Sequence, residues 1–423
     1  MKRIISLFVP QVIKNFYHLV NSLAANIVYG FPSRKMTIIG ITGTNGKTTT
    51  TQMIGAILRA AQKKTAVAST IDFWINDTQT VNTSKFTTTD SWQLQKFLHQ
   101  AWQAGCEVVV LETSSHALHQ HRVWGVQYDI AVLTNVTREH LDYHKTIERY
   151  RAAKKMLFRH VKKAVINSDI ENVWEFVKAV EKNGGTIISY SAKDKEAELF
   201  AGGIQLDFHK TQFRIGEEMY GLRIPGIFNI ENALAAIGVA RMLEIPYETT
   251  RDALANISGV PGRMELVPNE KKIDIIIDYA VTPDAFQKLY ASVLPLKIPG
   301  TKIIHVFGAC GERDRGKRII LGEIAASRAD IVILTNEDPY HENGERIIDE
   351  IEPGVERFRK KDRDYFRIYD RREAITKALT LAEIGDIVLV TGKGAETTMA
   401  IGDERIPWNE REVIRETLQK SLS

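Results

Sequence analysis

Cysteine is nearly absent from this chain of 423 residues: only Cys106 and Cys310 occur. Two thiols exclude a disulfide framework and a cysteine-built zinc site, and they suit a reducing cytoplasm, which is the expected compartment. Basic clusters interleaved with aromatics are also missing, and the net charge is only +4. No nucleic-acid partner is expected on that basis. Acidic residues are absent from the whole front of the chain, where Lys2, Arg3, Lys14, Arg34 and Lys35 precede the first carboxylate, Asp72. No long uninterrupted apolar run follows them. Residues 12–31 are broken by Lys14, Asn15, His18, Asn21 and Asn26, which argues against a membrane-spanning helix or a cleaved leader. Residues 1–35 read as a basic amphipathic helical segment that either rests on anionic lipid at the inner membrane face or packs on the next domain.

What is present is an alternation of strand-length apolar runs with helical patterns. Runs at 36–41, 107–111, 129–133 and 163–166, with a helix over 48–61, predict a mostly parallel sheet wrapped by helices. Short alternating segments over 184–225 predict antiparallel strands as a β appendage. A helix over 230–243 follows, and the Gly/Pro punctuation of "GVPGRME" at 259–265 marks a domain joint. Beyond it, runs at 273–277, 302–307, 331–334 and 387–390 again alternate with helices. The expected fold class is α/β, with a central P-loop-type ATPase domain over 36–260 and a Rossmann-like C-terminal domain over 261–423.

"ITGTNGKTTT" at 41–50 lies between the first strand and its helix. Glycines there let backbone N–H groups turn toward one anion, and the helix start adds positive potential. Gly43, Thr44, Asn45, Gly46, Lys47, Thr48 and Thr49 therefore form a candidate phosphate cradle. Lys47 is placed to reach the β and γ phosphates and the Thr48 hydroxyl to meet magnesium. The Gly43–Gly46 spacing is shorter than the usual P-loop pattern.

Further motifs occur in order: "LETSSHALHQHRV" (111–123), "TNVTREHLDYH" (134–144), "YRAAKKMLF" (150–158), "GIFNIENALAA" (226–236), "GVPGRME", "DYAVTPDAF" (278–286) and "VFGACGERDRGKR" (306–318). With the loop, they resemble the Mur ligase family, and most closely its branch of tripeptide synthetases, which add the third amino acid in peptidoglycan and cell-wall precursor assembly. The resemblance runs from about residue 36 onward. It implies a monomeric enzyme in which a substrate carboxylate takes the γ-phosphate of ATP to give an acyl phosphate, and an amine then displaces phosphate to form an amide. It also implies that Thr48, Glu112 and His140 are metal ligands, and that Lys154 carries carbon dioxide as a carbamate. Magnesium suits oxygen ligands, and the histidine makes manganese a substitute. Taken alone, Glu112 reads as a helix cap, His140 as a surface histidine and Lys154 as an exposed helix lysine.

The same resemblance assigns Asn229 and Asn232 to the adenine region and Arg263 and Asp278 to the nucleotide on domain closure. Val281 stands where the family usually has histidine. Thr87, Thr88, Ser114, Gln120 and Arg122 match positions that cradle a muramoyl dipeptide, with Thr89 replacing a proline. For the incoming diamino acid, Arg318, Gly392 and Glu396 match a diaminopimelate pocket. Its "DNPR" signature reads Glu337, Asp338, Pro339, Tyr340 here, which loses an arginine fork and makes lysine competitive with diaminopimelate. Tyr340 alone reads as a core aromatic. Tripeptide synthetases carry roughly 100 residues ahead of the loop domain to hold uridine diphosphate. Only residues 1–35 stand there in this chain, so an acceptor other than a UDP-sugar is the alternative: a lipid-linked or free peptide, folate or an amino-acid polymer.

Overall fold

The computed structural model describes residues 10–82, 84 and 86–420, together with the backbone but not the side chain of residue 142. The first nine residues of the basic N-terminal segment lie outside the described residues. Two compact units divide the chain, one built from residues 1–205, 212–222 and 227–257, the other from 206–211, 223–226 and 258–423.

The first unit is organised by a nine-stranded sheet. Its strands are β1 (Thr37–Thr42), β2 (Thr65–Ala68), β3 (Asp72–Ile75), β4 (Thr78–Val81), β5 (Val108–Glu112), β6 (Ile130–Leu133), β7 (Lys163–Asn167), β8 (Thr186–Ser191) and β9 (Leu199–Phe200), in the spatial order β4-β3-β2-β5-β1-β6-β7-β8-β9. From β2 to β9 across the sheet the pairings are parallel, while β3 and β4 add an antiparallel edge. The central strands are apolar on both faces because helices cover both, so β5 and β6 are buried throughout. Full burial of a Val or Ile side chain there contributes about 1.5–3 kcal/mol.

Five helices of this unit bear on function: α1 (Gln11–Tyr29), α2 (Lys47–Ala60), α3 (Ser91–Gln103), α4 (Ile147–Lys155) and α5 (Ile227–Met242). The last starts three residues before the sequence pattern predicts. Its first turn holds Asn229, which is fully buried and bonded to Asn232, so polar residues sit where apolar periodicity would be sought. The antiparallel reading of 184–225 fails for its first part, where β8 and β9 extend the main sheet in parallel; the rest forms a separate three-stranded sheet, β10 (Gly202–Gln205), β11 (Thr211–Ile215) and β12 (Glu218–Leu222).

The second unit has a six-stranded sheet of β13 (Glu265–Val267), β14 (Asp274–Asp278), β15 (Ile303–Phe307), β16 (Ile331–Leu334), β17 (Tyr365–Arg367) and β18 (Ile387–Thr391), ordered β13-β14-β18-β15-β16-β17. Only β13 runs antiparallel to its neighbour. A hairpin of β19 (Thr398–Ile401) and β20 (Glu404–Pro407) follows. In open parallel sheets ligands bind beyond the carboxyl ends of the strands. In both units the candidate residues lie at those ends.

Candidate active site

The loop between β1 and α2 is held by backbone and short side chains. Register pairs Ile41 with Glu112 of β5 and Thr42 with Leu133 of β6, so the ends of both neighbours flank the loop. Asn135 supplies its carbonyl to Thr44 N–H at 2.9 Å and its side-chain oxygen to Asn45 N–H at 2.8 Å. Thr134 Oγ1 donates to Asn45 O at 2.6 Å. Glycine is required at two positions. A Cβ on Gly43 would lie 1.8 Å from Thr134 Oγ1; one on Gly46, where φ is +82°, would lie 2.2 Å from Asn232 Oδ1. Asn232 on α5 thus presses on the loop, and Thr50 Oγ1 of α2 donates to the same oxygen at 3.3 Å.

Cationic groups and the residues expected to bind metal lie around this frame. Lys47 Nζ donates to Thr44 O at 2.9 Å and Lys154 Nζ to Gly43 O at 2.6 Å. Lys154 is not the exposed helix lysine its local sequence suggests: it is 1% exposed, under the Tyr150 ring 4.3 Å away. Burial first, then the Lys47 charge, holds its amine well below the ordinary lysine range, against an opposing pull from Glu139. Thr48 Oγ1 lies 3.1 Å from both oxygens of Glu112, whose Oε2 also accepts from Thr70 N–H and Thr70 Oγ1. Glu112 is buried and caps no helix; it ends a strand beneath the loop. Thr49 is buried in the first turn of α2.

His140 stands in a left-handed turn, with its ring 4.8 Å from that of His116 and 6.0 Å from that of Tyr150. Its imidazole keeps 45% of its surface accessible, so the residue is exposed, as its local sequence suggests. The enclosing protein, followed by His116, Lys154, Lys47 and His144, holds it neutral and well below the ordinary imidazole range. Among the described residues no three His, Cys, Asp or Glu side chains lie close enough to hold a metal ion. The set at the loop contains only two of those types and adds a hydroxyl and an amine. Its oxygen donors and neutral imidazole have the chemistry a magnesium ion requires, provided Lys154 becomes an oxygen ligand.

Among the residues expected to hold the acceptor, Thr88 Oγ1 donates to Glu112 O at 3.0 Å and accepts from Ser114 N–H at 3.0 Å. Thr87 Oγ1 meets Thr70 Oγ1 at 3.2 Å. Arg122 is buried and donates to Thr88 O, while its Nε meets no hydrogen-bond partner among the described residues. Gln120 closes the short helix Ser115–His119, next to Tyr143. Thr89, standing where a proline was expected, supplies a second carbonyl to Arg122 at 3.3 Å.

In the second unit Arg263 lies over Tyr279 at 4.6 Å, and Asp278 Oδ2 accepts from Met264 N–H at 2.7 Å. Burial raises the Asp278 carboxyl, against the opposing effects of Arg263 and that N–H. Val281 is half-exposed. Around the carboxyl ends of β16 and β18, Lys393 is fully buried, donating to Asp338 Oδ1 at 2.7 Å and pairing with Glu396. Asp338 also accepts from Ala400 N–H at 2.7 Å. Burial pushes Glu337 up to about 7 against the charges of Arg371, Lys393 and Lys317, with Asp338 adding to the rise. Gly392, at φ +112°, leaves room for it: a Cβ there would lie 2.6 Å from Glu337 Oε2. Arg318 is buried in pairs with Glu342 at 2.9 Å and Glu350 at 2.7 Å, its Nε meeting no hydrogen-bond partner among the described residues. Tyr340 is half-exposed at φ +51° with Arg405 5.4 Å above its ring, so it is not a core aromatic.

Residues 41–240 match the model of the Mur ligase middle domain, and residues 262–394 match that of the Mur ligase glutamate ligase domain. Over 406 residues the chain is 40% identical to the UDP-N-acetylmuramoyl-L-alanyl-D-glutamate–2,6-diaminopimelate ligase of Caldanaerobacter subterraneus subsp. tengcongensis, covering 94% of this chain and 81% of that one. The chain belongs to the Mur ligase family. It is 39% identical over 410 residues to the UDP-N-acetylmuramyl-tripeptide synthetase of a Roseiflexus species, covering 92% and 80%. A solved structure of a UDP-N-acetylmuramoyl-L-alanyl-D-glutamate–2,6-diaminopimelate ligase superposes with a TM-score of 0.65 at 31% identity, over 92% of this chain and 79% of that one. The folylpolyglutamate synthase of Mycobacterium tuberculosis, complexed with ADP and AMPPCP, shares the fold at a TM-score of 0.72 and 16% identity, over 96% and 95%. This Mur ligase is an ATP-dependent acid–amino-acid ligase.

Several residues of this Mur ligase escape sequence reasoning. Thr70, Thr134 and Asn135 hold Glu112 and the loop, and Lys393 neutralises two acids at once. Thr134 and Asn135 lie inside "TNVTREHLDYH", so that motif already carried a signal for them, and Lys393 sits beside Gly392. Arg371 had none: it is fully buried, bonded to Asn336 O, Thr391 O and Glu410.

Proposed function

We propose that this Mur ligase joins the amine of a diamino acid, 2,6-diaminopimelate or lysine, to the terminal carboxylate of a muramoyl-dipeptide-like acceptor. The observation that carries this reading is the convergence of Lys47, Lys154, Thr48 and Glu112 on one glycine-bounded loop. Such an arrangement supplies positioned positive charge where a phosphoryl group moves, which is most of what phosphoryl transfer asks of a protein. An acceptor oxygen attacks the γ-phosphorus and ADP leaves; the amine nitrogen then attacks the acyl carbon and inorganic phosphate leaves with its bridging oxygen. Loop amides and Lys47 orient the triphosphate, while Arg122, Thr88 and Ser114 orient the acceptor. Magnesium, when bound, neutralises charge on the phosphates; Thr48, Glu112, His140 and a carbamate on Lys154 would hold it. A buried amine kept neutral is the reactive form toward carbon dioxide, which supports the carbamate. Asn229 and Asn232 serve the adenine side, and Arg263 and Asp278 the nucleotide from the second unit.

In the second unit Glu396 and Asp338, already turned toward the Lys393 ammonium, have the chemistry to receive a substrate ammonium; Arg318 Nε and Gly392 complete the pocket. The enzyme works as a monomer. The test is ATP-dependent phosphate release and product mass across UDP-linked muramoyl dipeptide, free dipeptide and folate acceptors, each with diaminopimelate or lysine. Release with the muramoyl dipeptide is expected, and release with folate alone would overturn the reading. Labelled bicarbonate should add a carbamate carbon resonance in the wild type that Lys154→Arg lacks.

A further inference from the structure

Helix α1 is amphipathic in the reverse of the usual sense. Its polar residues face the protein: Ser22 and Asn26 are fully buried. Ser22 Oγ donates to His121 O at 2.7 Å and meets Ser91 Oγ at 2.6 Å, and Asn26 Nδ2 donates to Trp124 O at 2.8 Å. Its apolar residues face away. Val12, Ile13, Phe16, Val20, Ile27 and Val28 are between 48% and 78% exposed. At 3.6 residues per turn these six occupy one arc of about 160°. A stripe of this size marks an interaction surface on a water-soluble fold.

The charges and aromatics around α1 say what covers it. Its only charged side chain is Lys14, the turn after it carries exposed Arg34 and Lys35, and Lys2 and Arg3 precede it in sequence, with no carboxylate before Asp72. Tryptophans rim its C-terminal half. Trp92 Nε1 donates to Asn21 Oδ1 at 3.1 Å and its ring lies 6.4 Å from Tyr29; His99 bridges Tyr29 to Trp102, over which Lys35 Nζ sits at 3.4 Å. Half-exposed tryptophan and tyrosine beside lysine is the composition of a membrane–water boundary. A second copy of α1 would instead bring lysines and arginines together, with Asp90 at the start of α3, which acts on His18, as the carboxylate beside the helix. No helix among the described residues is long and apolar enough to cross a bilayer.

We propose that the outward face of α1, with Lys14, Arg34, Lys35 and the Trp92–Trp102 rim, docks on an anionic lipid bilayer and lies in its interface plane. The docked helix carries the acceptor loop with it. His121 and Trp124, which accept from Ser22 and Asn26, flank Arg122, whose carbonyl accepts from Ser91 Oγ at 3.0 Å. Lipid binding therefore holds the loop of Gln120 and Arg122 at a defined distance from the membrane surface.

Co-sedimentation of the full chain with phosphatidylcholine vesicles, with and without phosphatidylglycerol, tests this directly. Pelleting is expected with the anionic vesicles and is weakened by high salt. Phe16→Glu/Ile27→Glu, altering exposed positions only, should lower the partition coefficient at least about tenfold. Lys14→Glu/Arg34→Glu should do the same for anionic vesicles, and it keeps the test decisive if the first variant folds poorly. Failure of the wild type to pellet would overturn the proposal, as would equal pelleting of both well-folded variants. So would a wild-type dimer in light scattering that Phe16→Glu/Ile27→Glu returns to monomer without any vesicle binding.

Discussion

The phosphate loop of the first unit and the pocket at the carboxyl ends of β16 and β18 in the second are built by opposite means. Backbone geometry makes the first: carbonyls of Gly43 and Thr44 receive Lys154 and Lys47, Asn135 pins the loop amides, and two glycines sit where no side chain fits. Buried charge makes the second: Lys393 between Asp338 and Glu396, Arg318 between Glu342 and Glu350, Arg371 against Glu410. Triphosphate chemistry is the same whatever is being joined, so a frame of main-chain groups serves it. An amino acid is chosen by the number and sign of its charges, and side chains set those. Substitution can therefore retune the second site while the first tolerates almost none.

Removing the Lys47 ammonium from the backbone-built site should have the largest effect. Lys47→Ala is expected to reduce ATP turnover by about 10³-fold or more. ADP binding should weaken far less, because the loop amides and the start of α2 remain. Steady-state phosphate release and calorimetric ADP binding check the two halves of that statement; equal losses in both would show that the loop depends on Lys47 for its shape.

The charge-built site should instead betray itself through pH. Burial pushes the Glu337 carboxyl up to about 7, above the ordinary unfolded value near 4.3. A carboxyl raised in this way binds its proton more tightly when folded. Its favourable contribution is complete below the unfolded pKa and is lost as pH rises toward and through about 7. Against burial, Arg371 and Lys393 beside it are held above their ordinary ranges by neighbouring carboxylates and stay charged across that window. Urea unfolding without substrates at about pH 5 and about pH 8 should show wild type losing on the order of 3 kcal/mol relative to Glu337→Gln. Parallel pH profiles for the two proteins would contradict the buried carboxyl.

The same contrast governs what could be read from the chain beforehand. Strand positions were legible because parallel strands buried on both faces are apolar runs, and the runs at 129–133 and 163–166 lie within a residue of β6 and β7. The loop was legible because glycine spacing is local. Lys154 was not: nothing in "RAAKK" distinguishes a lysine that folds inward under Tyr150 onto Gly43, 111 residues away. Nor were the pairs of Arg318 and Arg371, whose partners lie 24 to 39 residues distant. For α1 the periodicity was visible, but a pattern of polar and apolar faces does not say which one the protein keeps.

A smaller effect, on stability, sharpens the claim that the loop is shaped by sterics. Gly46→Ala puts a methyl group 2.2 Å from Asn232 Oδ1 at a φ of +82°. Clash and left-handed strain together should cost about 1–3 kcal/mol. Adding Asn232→Ala removes the clash and leaves about 1 kcal/mol of backbone strain. Thermal unfolding of the single and double variants should therefore show partial recovery. No recovery would mean that φ alone forbids a side chain there.

The smallest expected effect probes the replaced residue of the charge-built pocket. Tyr340 has its backbone fixed by β19, accepting from Gly402 N–H at 2.7 Å and donating to Ala400 O at 3.2 Å, so its side chain can change without moving the strand. Its hydroxyl is raised by burial and by Cys310, Asp338 and Glu396, and lowered by Arg313, so the position already feels charges of both signs. Tyr340→Arg supplies a planar fork able to grip a second carboxylate through charge-assisted bonds worth about 1.5–3 kcal/mol. Arg405, now facing the phenol ring at 5.4 Å, would repel the new guanidinium and take back part of that gain. The kcat/KM ratio for diaminopimelate over lysine should rise about tenfold, the equivalent of 1.4 kcal/mol. An unchanged ratio would place the distal carboxylate beyond reach of residue 340, leaving Arg313 and Arg405 as the cations positioned to receive it.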